Sequence, residues 1–156
     1  MSQTFSQIYI HVIFAVKYRN SLILHDWEDE LYKYITGIVT NKNQKMISIN
    51  GMPDHIHLFL GLKPSCCLSN LVREIKKSST KFIKRRKFCK CKFQWQEGFG
   101  SFSHSHSNIS SVANYIKNQK AHHKKKTFRD EYLDCLIKNS IEYKKEYLFD
   151  FFEHLP

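Results

Sequence analysis

The chain is short of residues that interrupt regular structure and short of acids to balance its bases. Only five glycines and three prolines occur in 156 residues. No run of either, or of serine, separates two halves, which excludes a flexible linker between domains. No apolar stretch approaches the roughly 20 residues of a membrane helix. The polar start, residues 1–7, lacks the basic and then apolar pattern of a secretory signal. No membrane partner is expected, and the compartment expected is cytoplasmic. The five cysteines are odd in number, with Cys66 beside Cys67, Cys89 one residue from Cys91, and Cys135 alone. They read as reduced thiols, without the Cys-x2-Cys spacing of a zinc site.

Hydrophobic residues make up 42% of the chain and aromatic residues 14%, enough to build a core and to exclude global disorder. One domain over 1–156 is expected, with a core over about 6–126 and a helical C-terminal extension over about 127–156. Against 14 acids stand 25 lysines and arginines, a formal charge of +11. A small domain this basic is suited to a polyanion, since each phosphate it neutralises releases counterions.

Ile8, Tyr9, Ile10, Val12, Ile13, Phe14 and Val16 form a β-branched and aromatic run that predicts a buried strand over 8–16. Trp27, Leu31, Tyr34, Ile35, Ile38 and Val39 recur at helical spacing and predict a helix over 26–43, with Asp26 as N-cap. A short strand over 46–50, a Gly-Met-Pro-Asp turn over 51–54 and a strand over 55–62 follow. Pro64 and Ser65 mark the start of a second long helix, striped by Leu68, Leu71, Val72, Ile75 and Phe82. Residues 93–95 and 99–103 are strand candidates, 108–124 a helix, and a further helix begins near Asp130. The order β-α-β-β-α-β predicts an α+β, ferredoxin-like (split βαβ) antiparallel sheet with helices on one face, plus C-terminal helices.

Two constellations carry chemistry. His55 and His57 flank Ile56 on a strand, so their imidazoles share one face, a pleat repeat apart, and suit one divalent cation. Tyr115 and Gln119 stand four apart on a helix and share a face. Gln119 offers a hard amide oxygen suited to Mg2+ or Mn2+, and Tyr115 a phenol able to attack phosphorus once deprotonated. Taken singly, each has an ordinary alternative: surface histidines, and an amphipathic tyrosine packed by its ring.

The chain resembles the single-tyrosine HUH transposases of small insertion sequences, including the REP-associated tyrosine transposases. The resemblance runs through Tyr9-Ile10-His11-Val12-Ile13-Phe14 and Asn50-Gly51-Met52-Pro53-Asp54-His55-Ile56-His57-Leu58. It continues through Leu68-Ser69-Asn70-Leu71-Val72-Arg73-Glu74-Ile75-Lys76, Trp95-Gln96-Glu97-Gly98-Phe99-Gly100-Ser101-Phe102 and Tyr115-Ile116-Lys117-Asn118-Gln119-Lys120-Ala121-His122-His123. It implies that His55, His57 and Gln119 hold Mg2+ or Mn2+ and that Tyr115 attacks the scissile phosphate, leaving a 5′-phosphotyrosine and a free 3′-hydroxyl. It further implies a single-stranded DNA substrate with hairpin ends, a homodimer with shared active sites, and a place at a bacterial or archaeal nucleoid. The alternatives are a replication initiator or relaxase-type nickase with nearly the same chemistry, and a non-catalytic nucleic-acid-binding module. The second lacks its expected RNP-like aromatic motif here.

Arg73, Lys76, Lys77, Lys84 and Lys87 fall near one side of the second long helix and read as a phosphate-tracking surface, with Lys17 and Arg19 as weaker candidates. Trp95 and Phe99 are candidates for base stacking. His122 is a candidate second-shell donor to Gln119, whereas His123 with Lys124, Lys125 and Lys126 reads as a basic helix end. His104 and His106 read as loop residues. Gly98 and Gly100 are compatible with a hinge ahead of the tyrosine helix.

Overall fold

The period-two alternation of β3 (His55–Gly61) separates two environments. Ile56, Leu58 and Leu60 point to one side of the sheet and His55, His57 and Phe59 to the other, and all six are buried. A strand buried on both faces needs cover on both. The computed structural model, which describes residues 3–18 and 22–152, supplies it with helices from different parts of the chain.

The sheet has four strands in the order β2-β3-β1-β4, built from β1 (Tyr9–Ala15), β2 (Lys45–Met52), β3 and β4 (Gly100–His104). All the pairings are antiparallel. Helices α1 (His25–Asn41) and α2 (Leu68–Arg86) pack together on the Ile56 side. There Trp27, Leu31, Ile35 and Val39, each one turn apart, present a single buried stripe on α1. Phe14 packs edge-on against Trp95, whose Nε1 donates to Ser79 on α2. The opposite side is covered by α3 (Ile109–Lys117), α4 (Gln119–His122) and α5 (Phe128–Lys138). Val112 and Ile116 of α3 pack on Phe59, and Phe128 of α5 stacks on His55 at 3.8 Å between centroids. The α+β split βαβ architecture expected from the sequence is therefore present, with the C-terminal helices closing the second face.

Several local expectations are corrected. The N-cap of α1 is Leu24 rather than Asp26, which lies in the first turn, where its charge still complements the dipole. Residues 93–95 form no strand. Trp95 makes one isolated bridge to Val16 and is buried in the core, so it is not free to stack on bases; Phe99 also packs against that core. The helix expected over 108–124 is broken at Asn118, between α3 and α4. The glycines ahead of it are held: the Gly98 carbonyl accepts from Lys76 Nζ at 2.6 Å, and Gly100 lies under Tyr132 of α5. A Cβ on Gly100 would sit 2.8 Å from the Tyr132 ring. Gly100→Ala is therefore expected to cost about 1–3 kcal/mol by overpacking, read by chemical denaturation, with partial recovery when Tyr132 is cut to Leu.

Candidate active site and metal centre

His55 and His57 sit at the buried start of β3, each with one imidazole nitrogen backed by a partner and the other aimed at a common point. His55 Nδ1 lies 2.7 Å from Asp54 Oδ1. His57 Nδ1 lies 2.7 Å from Nε2 of His11 on β1. With the proton on Nδ1 in both rings, the two Nε2 lone pairs face the same space, the arrangement by which outer partners fix metal-binding imidazoles. His55 Nε2 is buried and makes no hydrogen bond. Gly51 permits this approach. A Cβ there would lie 2.2 Å from the His55 carbonyl oxygen, so any side chain would push β2 off β3 beneath the site.

The centre of that space is held by Glu131 of α5. Its Oε1 is 3.0 Å from His57 Nε2, 3.2 Å from His123 Nε2 and 3.5 Å from His55 Nε2. Its Oε2 accepts from Gln119 Nε2 at 3.1 Å and, in a short contact, from the Tyr115 hydroxyl. Gln119 Oε1 lies 3.0 Å from His123 Nε2. Tyr115, Gln119 and His123 recur every four residues, so they keep one face across the break at Asn118. His55, His57, His123 and Glu131 each offer a ligand atom, and these atoms lie within 4.8 Å of one another. Three imidazoles and a carboxylate, with an amide oxygen alongside, suit a divalent cation with some affinity for nitrogen.

The electrostatics follow from burial and this one carboxylate. Burial pushes the Glu131 pKa up, but the adjoining His123, His55 and His57 rings reverse this and hold it well below the usual carboxylate range. Burial alone would lower the His55 pKa; Asp54 and Glu131 outweigh it and lift the ring to about 9. Burial dominates at His57, which falls to about 4 despite Glu131. His11 is lowered by burial and by His57, which keeps it a neutral acceptor for the His57 Nδ1 proton. The Tyr115 phenol is raised by burial, then by its hydrogen bond to Glu131 and that group's charge. At rest it is a phenol, not a phenolate.

Tyr115, His55, His57 and Gln119 thus come together within a single chain. The Gln119 amide meets Glu131 and His123 rather than His122, whose ring stacks on Tyr115 at 4.6 Å. His123, expected in a basic helix end, is instead in the cage. Asp54, His11 and Glu131 were not singled out by sequence reasoning. A signal for Glu131 was present: it shares the apolar stripe of Phe128, Tyr132 and Leu136, where an acid is out of place. The segment read as an appended extension supplies the centre of the site.

The basic residues lie elsewhere. Helix α2 is across the sheet from Tyr115. Arg73, Lys77, Lys84 and Lys87 are exposed there; Arg73 donates to Asn70, and Lys87 caps the helix in the left-handed conformation. Lys76 departs from the phosphate-tracking expectation. Its ammonium donates to the Gln96 and Gly98 carbonyls and lies over the Phe14 ring, so its charge is spent fixing the loop before β4. Lys17 is exposed beside the Tyr18 ring. Arg19 lies outside the described residues. No disulfide joins the cysteines. Among the described residues no helix is long and apolar enough to cross a membrane.

A sheet with paired histidines on a buried strand, faced by two successive helices that bear Tyr115 and Gln119, is the pattern of a single-tyrosine transposase. The chain belongs to the IS200-like transposase family, whose model matches residues 4–119. It is similar to the ISDra2 transposase TnpA of Deinococcus radiodurans, 29% identical over 75 residues, a stretch covering 48% of this chain and 54% of that protein. The chain therefore matches about half the length of this relative. Among solved structures, a presumed transposase from Deinococcus radiodurans R1 superposes with a TM-score of 0.61 at 23% identity, over 76% of this chain and 98% of that one. The REP-associated tyrosine transposase bound to a REP hairpin superposes with a TM-score of 0.57 at 19% identity, over 79% of this chain and 74% of that one. At these identities the two structures establish a shared fold. Helix α5, with Glu131, lies beyond the span the family model matches.

Proposed function

We propose that the chain is a DNA transposase that cuts and rejoins single-stranded DNA through Tyr115, assisted by a divalent metal. The observation that carries this reading is the Tyr115 hydroxyl resting on a carboxylate that also meets three imidazoles. Nucleophile and ligand set are gathered around one point. Attack of the Tyr115 oxygen on a phosphodiester forms a phosphorus–tyrosine bond and breaks the bond to the 3′ oxygen. Glu131 accepts the hydrogen bond that orients the Tyr115 hydroxyl beforehand; the phenol proton leaves to water as the bond to phosphorus forms, and the departing 3′ oxygen takes up a proton from water. The product is a 5′-phosphotyrosine and a 3′-hydroxyl, and attack by a 3′-hydroxyl reverses the step and reseals a strand. Energy is kept in the covalent link, so no nucleotide cofactor is consumed.

His55, His57, His123, Glu131 and Gln119 would hold the metal, Mg2+ or Mn2+ on the family's expectation. A bound divalent cation there would polarise the phosphoryl oxygens and stabilise the developing charge. The nitrogen-rich set favours Mn2+.

Hairpin-bearing DNA is the proposed substrate and a homodimer the proposed assembly. The cage closes within one chain, so exchange of α3 and α4 between partners would first break the Tyr115 and Gln119 contacts to Glu131. The test is incubation with single-stranded, hairpin-bearing DNA and Mn2+. A denaturant-stable protein–DNA adduct that chelator prevents is expected; an adduct formed equally well in chelator would remove the metal from the proposal. For the surface across the sheet, replacing Lys77, Lys84 and Lys87 by Gln should reduce the slope of log affinity against log salt by about two units. An unchanged slope would mean that DNA does not touch α2.

A further inference from the structure

Tyr115 stands between two clefts. One, about 310 Å³, opens toward β1 and β4; the other, about 300 Å³, opens toward the turn after α4. We infer that the first cleft holds one unpaired nucleobase of the strand being cut, next to the scissile phosphate, while the second receives the sugar–phosphate backbone. The inference rests on the reading of Tyr115 as nucleophile and adds a binding site to it.

The walls of the first cleft are ring faces and edges. His11 lies 6.0 Å from Phe102, 6.2 Å from His104 and 6.5 Å from Tyr115, centroid to centroid, and no two of these pairs are coplanar. Val112 closes the apolar lining. A base needs this: flat apolar contact for its faces, which is tolerant of sequence because every base has a π-face. It also needs polar groups for its edge. Asn108, Ser111 and Asn139 stand at the mouth, are exposed, and offer two amides and a hydroxyl. The volume is at the low end of the roughly 300–1,000 Å³ of small-ligand clefts, a scale suited to one base.

Charge separates the two clefts. Lys138 borders both, and Lys125 and Lys126 line only the second. Two acids also line the second cleft: Asp134 is paired with Lys126, and Glu131 is engaged by the imidazoles and Tyr115, which leaves Lys125 and Lys138 as the cations available to phosphate there. A strand crossing Tyr115 with its phosphate at the hydroxyl carries a base within one nucleotide on either side. The aromatic cleft is where such a base can be desolvated, and the basic cleft is where its neighbour's phosphate finds countercharge. Holding the base would also orient the phosphodiester, because the sugar between them allows few conformations.

The cleft is tested by a cycle of binding measurements on the Tyr115→Phe chain, which keeps the wall and removes the reacting oxygen. The probes are a single strand of about a dozen thymidines and a wholly abasic strand of the same length. The base-bearing strand should bind at least about tenfold tighter, in keeping with the value of a stacked base. Adding Ser111→Trp, an exposed mouth residue enlarged into the cleft, should bring that ratio down about tenfold and leave abasic binding and Co2+ binding unchanged. A ratio that Ser111→Trp leaves intact overturns the inference. So does a Ser111→Trp effect that appears equally with both strands, or one that tracks a change in association state by sedimentation, which would make the cleft a contact between copies. Failure of the strand-cutting reading would show separately, as absence of a covalent adduct with the unmodified chain.

Discussion

Tyr115→Phe should yield a folded chain that binds single-stranded DNA and forms no covalent adduct with it. Only an oxygen is lost. The ring, stacked on His122 at 4.6 Å, keeps its place, and Glu131 keeps its contacts to Gln119 and His123. The fold should lose no more than about 1–2 kcal/mol, the usual scale of one hydrogen bond to a charged group. Adduct formation should fall by at least about a thousandfold, because the proposed nucleophile is absent and, among the described residues, no other hydroxyl touches the same carboxylate oxygen. Since the link expected is to the 5′ phosphate, a 3′-labelled strand should carry its label onto the protein in denaturing gels. The label should vanish with the variant. A labelled band that survives Tyr115→Phe would sink the assignment of Tyr115, whatever becomes of the metal.

Glu131→Ala should do two things at once, and their combination is diagnostic. In chelator the variant should be destabilised by about 3 kcal/mol or more, since it strips the counter-charge from a buried cluster of imidazoles and orphans the donors on Tyr115 and Gln119. In a Co2+ titration its affinity should drop by about a hundredfold, because a direct ligand is lost along with the partner that orients two others. Glu131→Gln keeps shape and a carbonyl oxygen but no charge, and should fall between the two. A different division would redefine the residue. If Glu131→Ala bound Co2+ as well as the unmodified chain, or better, the carboxylate would be occupying the metal's place rather than serving it. Adduct formation should then rise, not fall, in that variant.

The sequence was informative wherever one element carries its own meaning. Alternation along β3 shows that His55 and His57 share a face. The four-residue step shows the same for Tyr115 and Gln119, and the β-α-β-β-α-β order limits the sheet to few arrangements. What it could not show is which distant element lands on that face. Glu131 meets His57 across 74 residues of chain, and His11 meets it across 46; neither separation has any periodic signature. Trp95 reads as a strand aromatic by composition, yet its indole nitrogen finds Ser79 on α2 and the residue is consumed by the core. Lys76 is chemically the same as Lys77, and only the positions of the Gln96 and Gly98 carbonyls set it apart. The break at Asn118, by contrast, falls on a residue type that favours helix ends over helix interiors.

The place of Glu131 in the chain has a consequence for the order in which the site is assembled. The hairpin of β2 and β3, which carries both histidines, is contiguous and precedes α5 in the chain, so it is synthesised before it. A growing chain can thus lay down sheet, histidines and even the tyrosine helix before the carboxylate that gathers them exists. Products that end before α5 are expected to keep the histidine hairpin without the centre it surrounds. The buried centre can close only in molecules that contain α5.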